Sequence, residues 1–198
     1  MTECAPFVAV NRFSHNRDES AGLVLPEMEI KVVNPDANGV GELAVKGANV
    51  MAGYYKNQEE TDKVLIDGWM MTGDLGYVDK GFVYITGRAK NLIITDNGKN
   101  VYPEEIEEYL LRSAFISECM VYAGDDNKIA AKIYPNFEEV ESCLGKEYTD
   151  ADLENLISNE IKAINKDIPS YKAIAKFSIR KEEFIKTTTK KIKRTANM

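Results

Sequence analysis

Apolar and polar residues alternate along the first part of the chain, which predicts short strands separated by turns. In the first strand candidate, Met28, Ile30 and Val32 recur at every second position, and a polar segment at 34–39 ends the run. Glycines bound two further strand candidates, residues 41–46 and 81–86. One short helix is predicted at 59–65, so this part of the chain is rich in strands.

After residue 88 the pattern becomes a mixture of helices and strands. Pro103 suits the first turn of a helix, where a missing N–H has no consequence, and Ile106, Tyr109 and Leu110 form an apolar face behind it. The other predicted elements are a hairpin of 92–94 and 100–102, strands at 119–122, 129–134 and 177–179, and a helix from Asp150 to just before Pro169.

These patterns predict an α+β protein with two units. Residues 1–87 would form a β-rich subdomain, and residues 88–198 a small α+β domain with a hairpin, a three-stranded sheet and flanking helices. No long Gly/Ser linker separates the two. We therefore expect a short hinge near residues 88–90.

Composition and charge narrow the function classes. The 198 residues are 44% hydrophobic and 29% charged, and no window approaches the roughly 18 apolar residues of a membrane-spanning helix. The first residues lack the pattern of a secretory signal, so we expect a cytoplasmic protein. The net charge is −7, yet from Ile161 onward there are 11 Lys and Arg against 3 Asp and Glu. Such a basic segment could meet nucleic acid, an anionic membrane or a phosphate-rich small ligand.

The cysteine and histidine counts argue against two kinds of site. Three scattered cysteines, Cys4, Cys119 and Cys143, indicate reduced thiols better than a disulfide framework or a zinc site. His15 is the single histidine of the sequence. A catalytic triad or a histidine-based metal centre is therefore not expected.

Four segments carry the candidate chemistry in a fixed order: Thr2-Glu3, residues 41–56, residues 68–90 and residues 186–192. Their order and spacing closely resemble the carboxy-terminal part of the acyl-adenylate-forming (AMP-binding enzyme) superfamily. This superfamily includes acyl-CoA synthetases, peptide-synthetase adenylation domains and luciferases. The resemblance covers nearly the whole chain, and the strongest signal is Thr72-Gly73-Asp74 followed by Gly87-Arg88 and Gly98.

The resemblance implies that Asp74 and Arg88 hold the nucleotide. The Asp74 carboxylate would accept hydrogen bonds from both ribose hydroxyls, and the Arg88 guanidinium would meet the ribose and phosphate region. Each residue also has a structural alternative. Asp74 could bond its own backbone in a turn, and Arg88 could form a surface ion pair.

Thr2 and Glu3 match the end of a Tyr-Gly-Met-Thr-Glu motif. The resemblance implies that Thr2 contacts phosphate and that Glu3 binds Mg²⁺. The upstream pyrophosphate loop, adenine pocket and acyl tunnel would then belong to an N-terminal domain that this sequence lacks. We therefore expect that the chain alone is not a complete enzyme.

Lys90 and Gly98 match positions that serve the second half-reaction in the superfamily. Lys90 would be the hinge about which the small domain swings, although it could also be an ordinary exposed lysine. Gly98 would let the pantetheine arm of CoA pass, because it has no Cβ. A hairpin glycine that needs a positive φ is the structural alternative, and both can hold at once.

Lys191 is the candidate catalytic residue. By itself, the stretch from Lys186 to Arg194 reads as a solvated basic tail. In the superfamily, a lysine before an isoleucine here bridges the carboxylate and the α-phosphate during adenylation, where negative charge accumulates. Lys190 stands in place of the usual glycine, which leaves open whether Lys190 or Lys191 acts. The spacing to Ile192 favours Lys191.

The implied activity is that of a long-chain fatty acid–CoA ligase, with ATP, CoA and a fatty acid as substrates and Mg²⁺ as cofactor. The expectation of a long-chain substrate rests on the long 95–99 loop and the 187–194 segment, which resemble those of long-chain fatty acyl-CoA synthetases. The alternatives are a short- or medium-chain acyl-CoA synthetase, an acyl-AMP ligase or adenylation domain that loads a carrier protein, and a non-enzymatic partner-binding module. We expect no nucleic-acid partner, because the basic segment lacks interleaved aromatic residues. Peripheral membrane contact would follow only from a lipid substrate.

Overall fold

A computed structural model describes residues 1–124 and 127–198 of the chain. The chain folds into two compact units, Met1–Lys90 and Asn91–Met198. The predicted α+β class is confirmed: the first unit is built around an antiparallel sheet, and the second combines sheets with helices. The division falls after Lys90 rather than after residue 87, because Arg88 still pairs with Asp74 in the first sheet.

The first unit is a seven-stranded sheet with one α-helix, α1 (Gln58–Val64). Its strands are β1 (Ala9–Val10), β2 (Gly22–Val24), β3 (Glu29–Val33), β4 (Gly41–Lys46), β5 (Leu65–Ile66), β6 (Trp69–Asp79) and β7 (Phe82–Arg88). The spatial order is β1-β2-β7-β6-β4-β3, with β5 paired to β6 and every pairing antiparallel. The alternation of apolar residues predicted β3, where Ile30 and Val32 are more buried than Glu29 and Lys31. Strands β4 and β7 were predicted from the glycines that bound them.

Strand β6 continues through Thr72-Gly73-Asp74, so Asp74 lies on a strand and not in the turn that the sequence analysis gave as its structural alternative. Three residues of β6 lie opposite one residue of β4, which is a β-bulge. Gly73 has a φ of +69°, and the Thr72 hydroxyl donates to the Leu43 carbonyl at 2.7 Å. The motif therefore lies on a bulged central strand.

The second unit packs helices on a three-stranded sheet and adds a small hairpin. Its elements are β8 (Ile93–Ile94), β9 (Asn100–Val101), α2 (Pro103–Leu110), β10 (Ile116–Ala123), β11 (Ile129–Pro135), α3 (Phe137–Leu144), α4 (Asp150–Asp167), β12 (Lys176–Ile179) and α5 (Arg194–Asn197). Strand β11 pairs antiparallel with β10 and parallel with β12. The sequence analysis missed α3 and α5, and it predicted the other elements within a few residues.

The second unit owes its two main helices to their start signals and apolar faces. Helix α2 begins at Pro103, and helix α4 begins with a capping box in which Thr149 and Asp152 bond each other's backbone N–H groups. Both helices bury aliphatic side chains in one core, where Ile106 and Ile157 are fully buried. The hairpin that carries Gly98 joins this core through Ile93 and Val101.

No helix in the described part of the chain is both long and apolar enough to span a membrane.

Candidate active site

Asp74 and Arg88 form an ion pair on the first sheet. They are partners in the register of β6 and β7, and Arg88 Nη1 donates to Asp74 Oδ1 at 2.5 Å. The Asp74 side chain is 22% exposed and the Arg88 side chain 45% exposed. A carboxylate and a guanidinium thus lie side by side at the surface, in a geometry that can receive ribose hydroxyls and a phosphate.

The bulge of β6 positions Asp74. Glycine at position 73 is required by its positive φ, which residues with a Cβ adopt at a penalty. The Thr72 hydroxyl accepts the Asp74 N–H at 3.1 Å, while Glu42 accepts the Gly73 N–H at 3.1 Å. These bonds satisfy backbone groups that leave the regular ladder at the bulge.

Thr2 and Glu3 lie in a short 3₁₀ turn, Thr2–Cys4, at the start of the chain. The Tyr54 hydroxyl donates to Glu3 Oε1 at 3.3 Å. Partial desolvation and the negative charge of Glu3 raise the pKa of Tyr54. In the described residues no hydrogen bond or ion pair joins Thr2 or Glu3 to the Asp74–Arg88 pair, so the structure does not bring these four residues into direct contact.

Glu3 could supply one ligand to a magnesium ion. Among residues 1–124 and 127–198 there is no group of three or more His, Cys, Asp or Glu side chains that could hold a metal by themselves. Mg²⁺ is commonly bound by one or two carboxylates together with substrate phosphates. A single partly exposed carboxylate is compatible with such a shared site and does not form a complete one.

Lys90 lies at the junction of the two units. It is exposed and belongs to a 3₁₀ turn, Ala89–Asn91, that directly follows β7. The next residue, Asn91, is the first of the second unit. The exposed side chain of Lys90 is compatible with a hinge, and its hinge role stays a prediction.

Gly98 is at the tip of the hairpin formed by β8 and β9. Its φ is +69°, and its N–H donates to the Thr95 carbonyl at 2.8 Å. A Cβ added at Gly98 would meet no atom within 4 Å. The turn geometry therefore requires glycine here, whereas packing inside the protein does not. The space around Gly98 is open to a ligand.

Lys190 and Lys191 lie at the tip of a second hairpin. Lys186 and Ile192 form an antiparallel bridge, and the Thr187 N–H donates to the Lys191 carbonyl at 2.8 Å. Both tip lysines are exposed. The backbone of this stretch is therefore a hairpin and not an unstructured tail, although the lysine side chains at its tip are solvated.

The backbone conformation separates the two lysines. Lys190 has a φ of +61°, a left-handed conformation that favours glycine, and Lys191 is not among the residues with positive φ. The structure thus gives position 190 the backbone of the glycine that the resemblance expects. In that register the resemblance predicts Lys191 as the reactive lysine, and this role stays a prediction.

Residues behind this hairpin were not singled out by the sequence analysis. Arg194 bonds Glu107 of α2 at 2.6 Å, and the nearly buried Asn197 bonds the base of the hairpin. Burial raises the pKa of Glu107, and the charge of Arg194 opposes that rise. In the sequence, Glu107 is one of several glutamates near the start of a helix, and no sequence pattern indicates that it is mostly buried.

Two sequence profiles of protein families match this chain. The profile of the AMP-binding enzyme C-terminal domain matches residues 90–198, more than half of the chain. This chain belongs to the AMP-binding enzyme family. The profile of the AMP-binding enzyme itself matches residues 1–55. The chain is thereby placed in the superfamily of AMP-forming acyl-adenylate ligases.

The relatives of this chain include ligases named for two different acceptors, acyl-carrier protein and CoA. It is 35% identical over 180 residues to a long-chain-fatty-acid–[acyl-carrier-protein] ligase of Arabidopsis thaliana, AEE15, covering 82% of this chain and 25% of the relative. It is 42% identical over 127 residues to a long-chain-fatty-acid–CoA ligase of Salmonella typhimurium, covering 60% of this chain and 22% of the relative. The chain thus spans about a quarter of the length of these relatives.

Solved structures of the family superimpose on nearly the whole chain. The o-succinylbenzoate CoA synthetase of Bacillus subtilis, solved with its acyl-adenylate intermediate, has a TM-score of 0.80 and 28% identity, covering 98% of this chain and 39% of that one. The same enzyme solved with ATP and magnesium has a TM-score of 0.78 and 29% identity, with the same coverage.

Proposed function

We propose that the chain is the carboxy-terminal part of an AMP-forming ligase that joins a long-chain fatty acid to CoA. The observation that carries this proposal is the likeness over 98% of the chain to a CoA synthetase solved with an acyl-adenylate. Relatives named as long-chain-fatty-acid–CoA ligases support the substrate class. The activity belongs to the longer protein, because this chain covers only a fraction of each relative.

The proposed reaction has two steps. The fatty acid carboxylate attacks the α-phosphorus of ATP, and pyrophosphate leaves as acyl-AMP forms. The CoA thiol then attacks the acyl carbon, and AMP leaves as the thioester forms. Each step builds negative charge on oxygen atoms at the reacting centre, so cationic side chains and hydrogen-bond donors accelerate it.

Residues of both units take part in these steps. Asp74 would accept the ribose hydroxyls, and Arg88, already paired with it at 2.5 Å, would keep that carboxylate oriented and meet the phosphate region. Lys191, at the exposed tip of its hairpin, would neutralise charge between the carboxylate and the α-phosphate during adenylation. Gly98 would line the path of the thiol in the second step, and Lys90 would allow the change between steps.

Thr2 and Glu3 would act on the phosphate side of ATP. Glu3 would hold Mg²⁺ together with phosphate oxygens, and the ion would supply positive charge that neutralises the phosphates. Thr2 is exposed and free to donate its hydroxyl to a phosphate oxygen.

The two half-reactions test the role of Lys191. In the complete protein, we expect Lys191→Ala to lower the rate of acyl-AMP formation by on the order of 10²–10³. Thioester formation from supplied acyl-AMP should remain near the wild-type rate. Lys190→Ala is the matched control, because it removes an equally exposed lysine one position away. Equal losses in both half-reactions would contradict the assignment.

The length of the natural product decides between the enzyme and a non-enzymatic partner-binding module. Its intact mass can be measured after capture from source cells with an antibody to this segment. A product several hundred residues longer would support the ligase. A product near 22.2 kDa would support the binding module.

A carrier-protein ligase is the second candidate function. The Arabidopsis relative is named for transfer to acyl-carrier protein, and it aligns with 82% of this chain. Supplying the complete protein with acyl-AMP and either CoA or acyl-carrier protein separates the two. Release of AMP with CoA supports our first proposal, whereas release only with the carrier protein supports the second. Fatty acids of graded length then test the short- and medium-chain alternatives.

A further inference from the structure

Asn91, Glu104, Glu107 and Arg194 form a polar network inside the second unit. It begins at the first residue after the Lys90 hinge and ends at the hairpin that carries Lys191. We propose that these four are positioning residues. They would transmit rotation at the hinge to the hairpin and so set the position of the Lys191 side chain. The inference rests on the proposed function, and it adds residues that act without touching substrate.

The hinge end of the network is a short hydrogen bond. Asn91 Nδ2 donates to Glu104 Oε1 at 2.5 Å, so the segment that leaves the hinge is attached to the first turn of α2. The same Glu104 oxygen lies 3.7 Å from Arg194 Nη2. Glu104 Oε2 is buried and has no hydrogen-bond partner among the described residues, so this carboxylate depends on the contacts of its other oxygen.

The centre of the network is the guanidinium of Arg194. Its Nη1 donates to the Val121 carbonyl at 2.6 Å, and its Nη2 donates to Glu107 Oε1 at 2.6 Å. Glu107 Oε1 also accepts the Val121 N–H at 2.7 Å. The side chains of Arg194 and Glu107 are only 18% and 16% exposed. Loss of the arginine would leave a mostly buried carboxylate without its positive partner and, among the groups that the structure describes, with only the Val121 N–H bonded to Oε1, so the pair is costly to break.

The hairpin end is fixed by Asn197, which is 3% exposed. Its Oδ1 accepts the Ile185 N–H at 3.0 Å, and its Nδ2 donates to the carbonyls of Ile185 and Lys193 at 3.0 and 2.8 Å. Lys132 Nζ donates to the Asn197 carbonyl at 2.7 Å. Asn197, three residues after Arg194, thereby attaches the base of the hairpin to β11.

These contacts join residue 91 to the hairpin of Lys191 through hydrogen bonds, the ion pair of Glu104 with Arg194 and the short stretch of chain from Arg194 to Asn197. A hinge rotation is useful to catalysis only if the reactive lysine arrives within a fraction of an ångström of its position. A hairpin tip that moved independently of its domain would arrive with a spread of positions. The network restricts that freedom, because α2 and β10 are both bonded to the guanidinium of Arg194, and Arg194 follows the hairpin directly in the chain.

The first test is amide hydrogen exchange on the 198-residue chain. We expect Arg194→Gln to speed exchange of the Thr187 and Lys193 amides by about 10-fold or more, since their hairpin loses the attachment that Arg194 makes to α2 and β10. Arg112→Gln is the matched control, because Arg112 pairs with Glu108 on the same helix with both side chains mostly exposed. Unchanged exchange in Arg194→Gln would overturn the network.

The second test uses the two half-reactions in the complete protein. We expect Arg194→Gln to lower kcat for acyl-AMP formation by roughly 3- to 30-fold, with little change in KM for ATP and in thioester formation. Asn91→Ala should give the same selective loss while hairpin exchange stays at the wild-type rate. If both variants leave the two half-reactions in their wild-type ratio, the positioning role is wrong.

A double variant checks that the two residues act along one path. Asn91→Ala combined with Arg194→Gln should lose no more adenylation than Arg194→Gln alone, whereas fully additive losses would contradict a shared path. If the wild-type complete protein forms no acyl-AMP, the proposed function fails. The exchange experiment would still decide whether the network anchors the hairpin.

Discussion

Lys190→Gly and Lys191→Gly should have opposite effects on the same hairpin. The two lysines are adjacent, exposed and at the tip, and they differ in backbone conformation: φ is +61° at Lys190, while Lys191 is outside the positive range. Glycine adopts left-handed geometry without a Cβ clash, so it suits position 190. At position 191 it adds freedom to the unfolded chain and gives nothing in return.

The expected size follows from two opposing effects. Left-handed geometry costs a residue with a Cβ about 1–2 kcal/mol, and a new glycine costs about 0.4–1 kcal/mol through the entropy of the unfolded chain. Lys190→Gly should therefore change hairpin stability by about 0 to +1.6 kcal/mol, and Lys191→Gly by about −0.4 to −1 kcal/mol. The unfolded-chain effect is common to both variants. Their difference, about 1–2 kcal/mol, thus reports the native backbone alone.

Hydrogen exchange of the Thr187 and Lys193 amides measures this difference, because both amides bond within the hairpin. A difference of 1–2 kcal/mol corresponds to exchange about 5- to 30-fold slower in Lys190→Gly than in Lys191→Gly. Equal exchange in the two variants would refute the left-handed assignment at 190, and with it the structural support for Lys191 over Lys190. In the complete protein, Lys190→Gly should keep its adenylation activity.

Three further predictions concern other positions. Gly76→Ala should unfold the β6–β7 pairing, seen as lost exchange protection in β7, because the added Cβ would lie 2.1 Å from the Tyr84 carbonyl oxygen; retained protection would contradict this. Gly98→Ala should cost only about 1 kcal/mol in thermal unfolding, yet raise KM for CoA in the complete protein without affecting adenylation. Hydrogen bonds from the hydroxyl and the backbone N–H of Thr149 lower the pKa of Asp152, so the start of α4 should keep its protection above the ordinary aspartate pKa and lose it as pH falls through the lowered value. Thr149→Ala should weaken this dependence, because it removes the hydroxyl and keeps the N–H.

The elements found from sequence are those whose local pattern agrees with their tertiary environment. Strand β4 follows the predicted bounds, because glycine begins it and its apolar residues are buried. Helix α4 matches because a capping box starts it and its apolar face is long. Helix α3 was missed because it has eight residues, and Val140 is its only buried side chain. Its stability comes from packing on the rest of the unit.

The candidate site residues could be located by motif spacing and not by periodicity, for a common physical reason. Gly73 forms a bulge beside Asp74, Gly98 turns a hairpin, and Lys190 takes a left-handed conformation beside Lys191. At each place the backbone leaves regular secondary structure, so no hydrophobic period marks it. The contacts that hold these irregular places, such as Arg194 with Glu107, join residues far apart in sequence. Only the folded chain shows that the hairpin of Lys190 and Lys191 is followed by an arginine that pairs with Glu107 of α2.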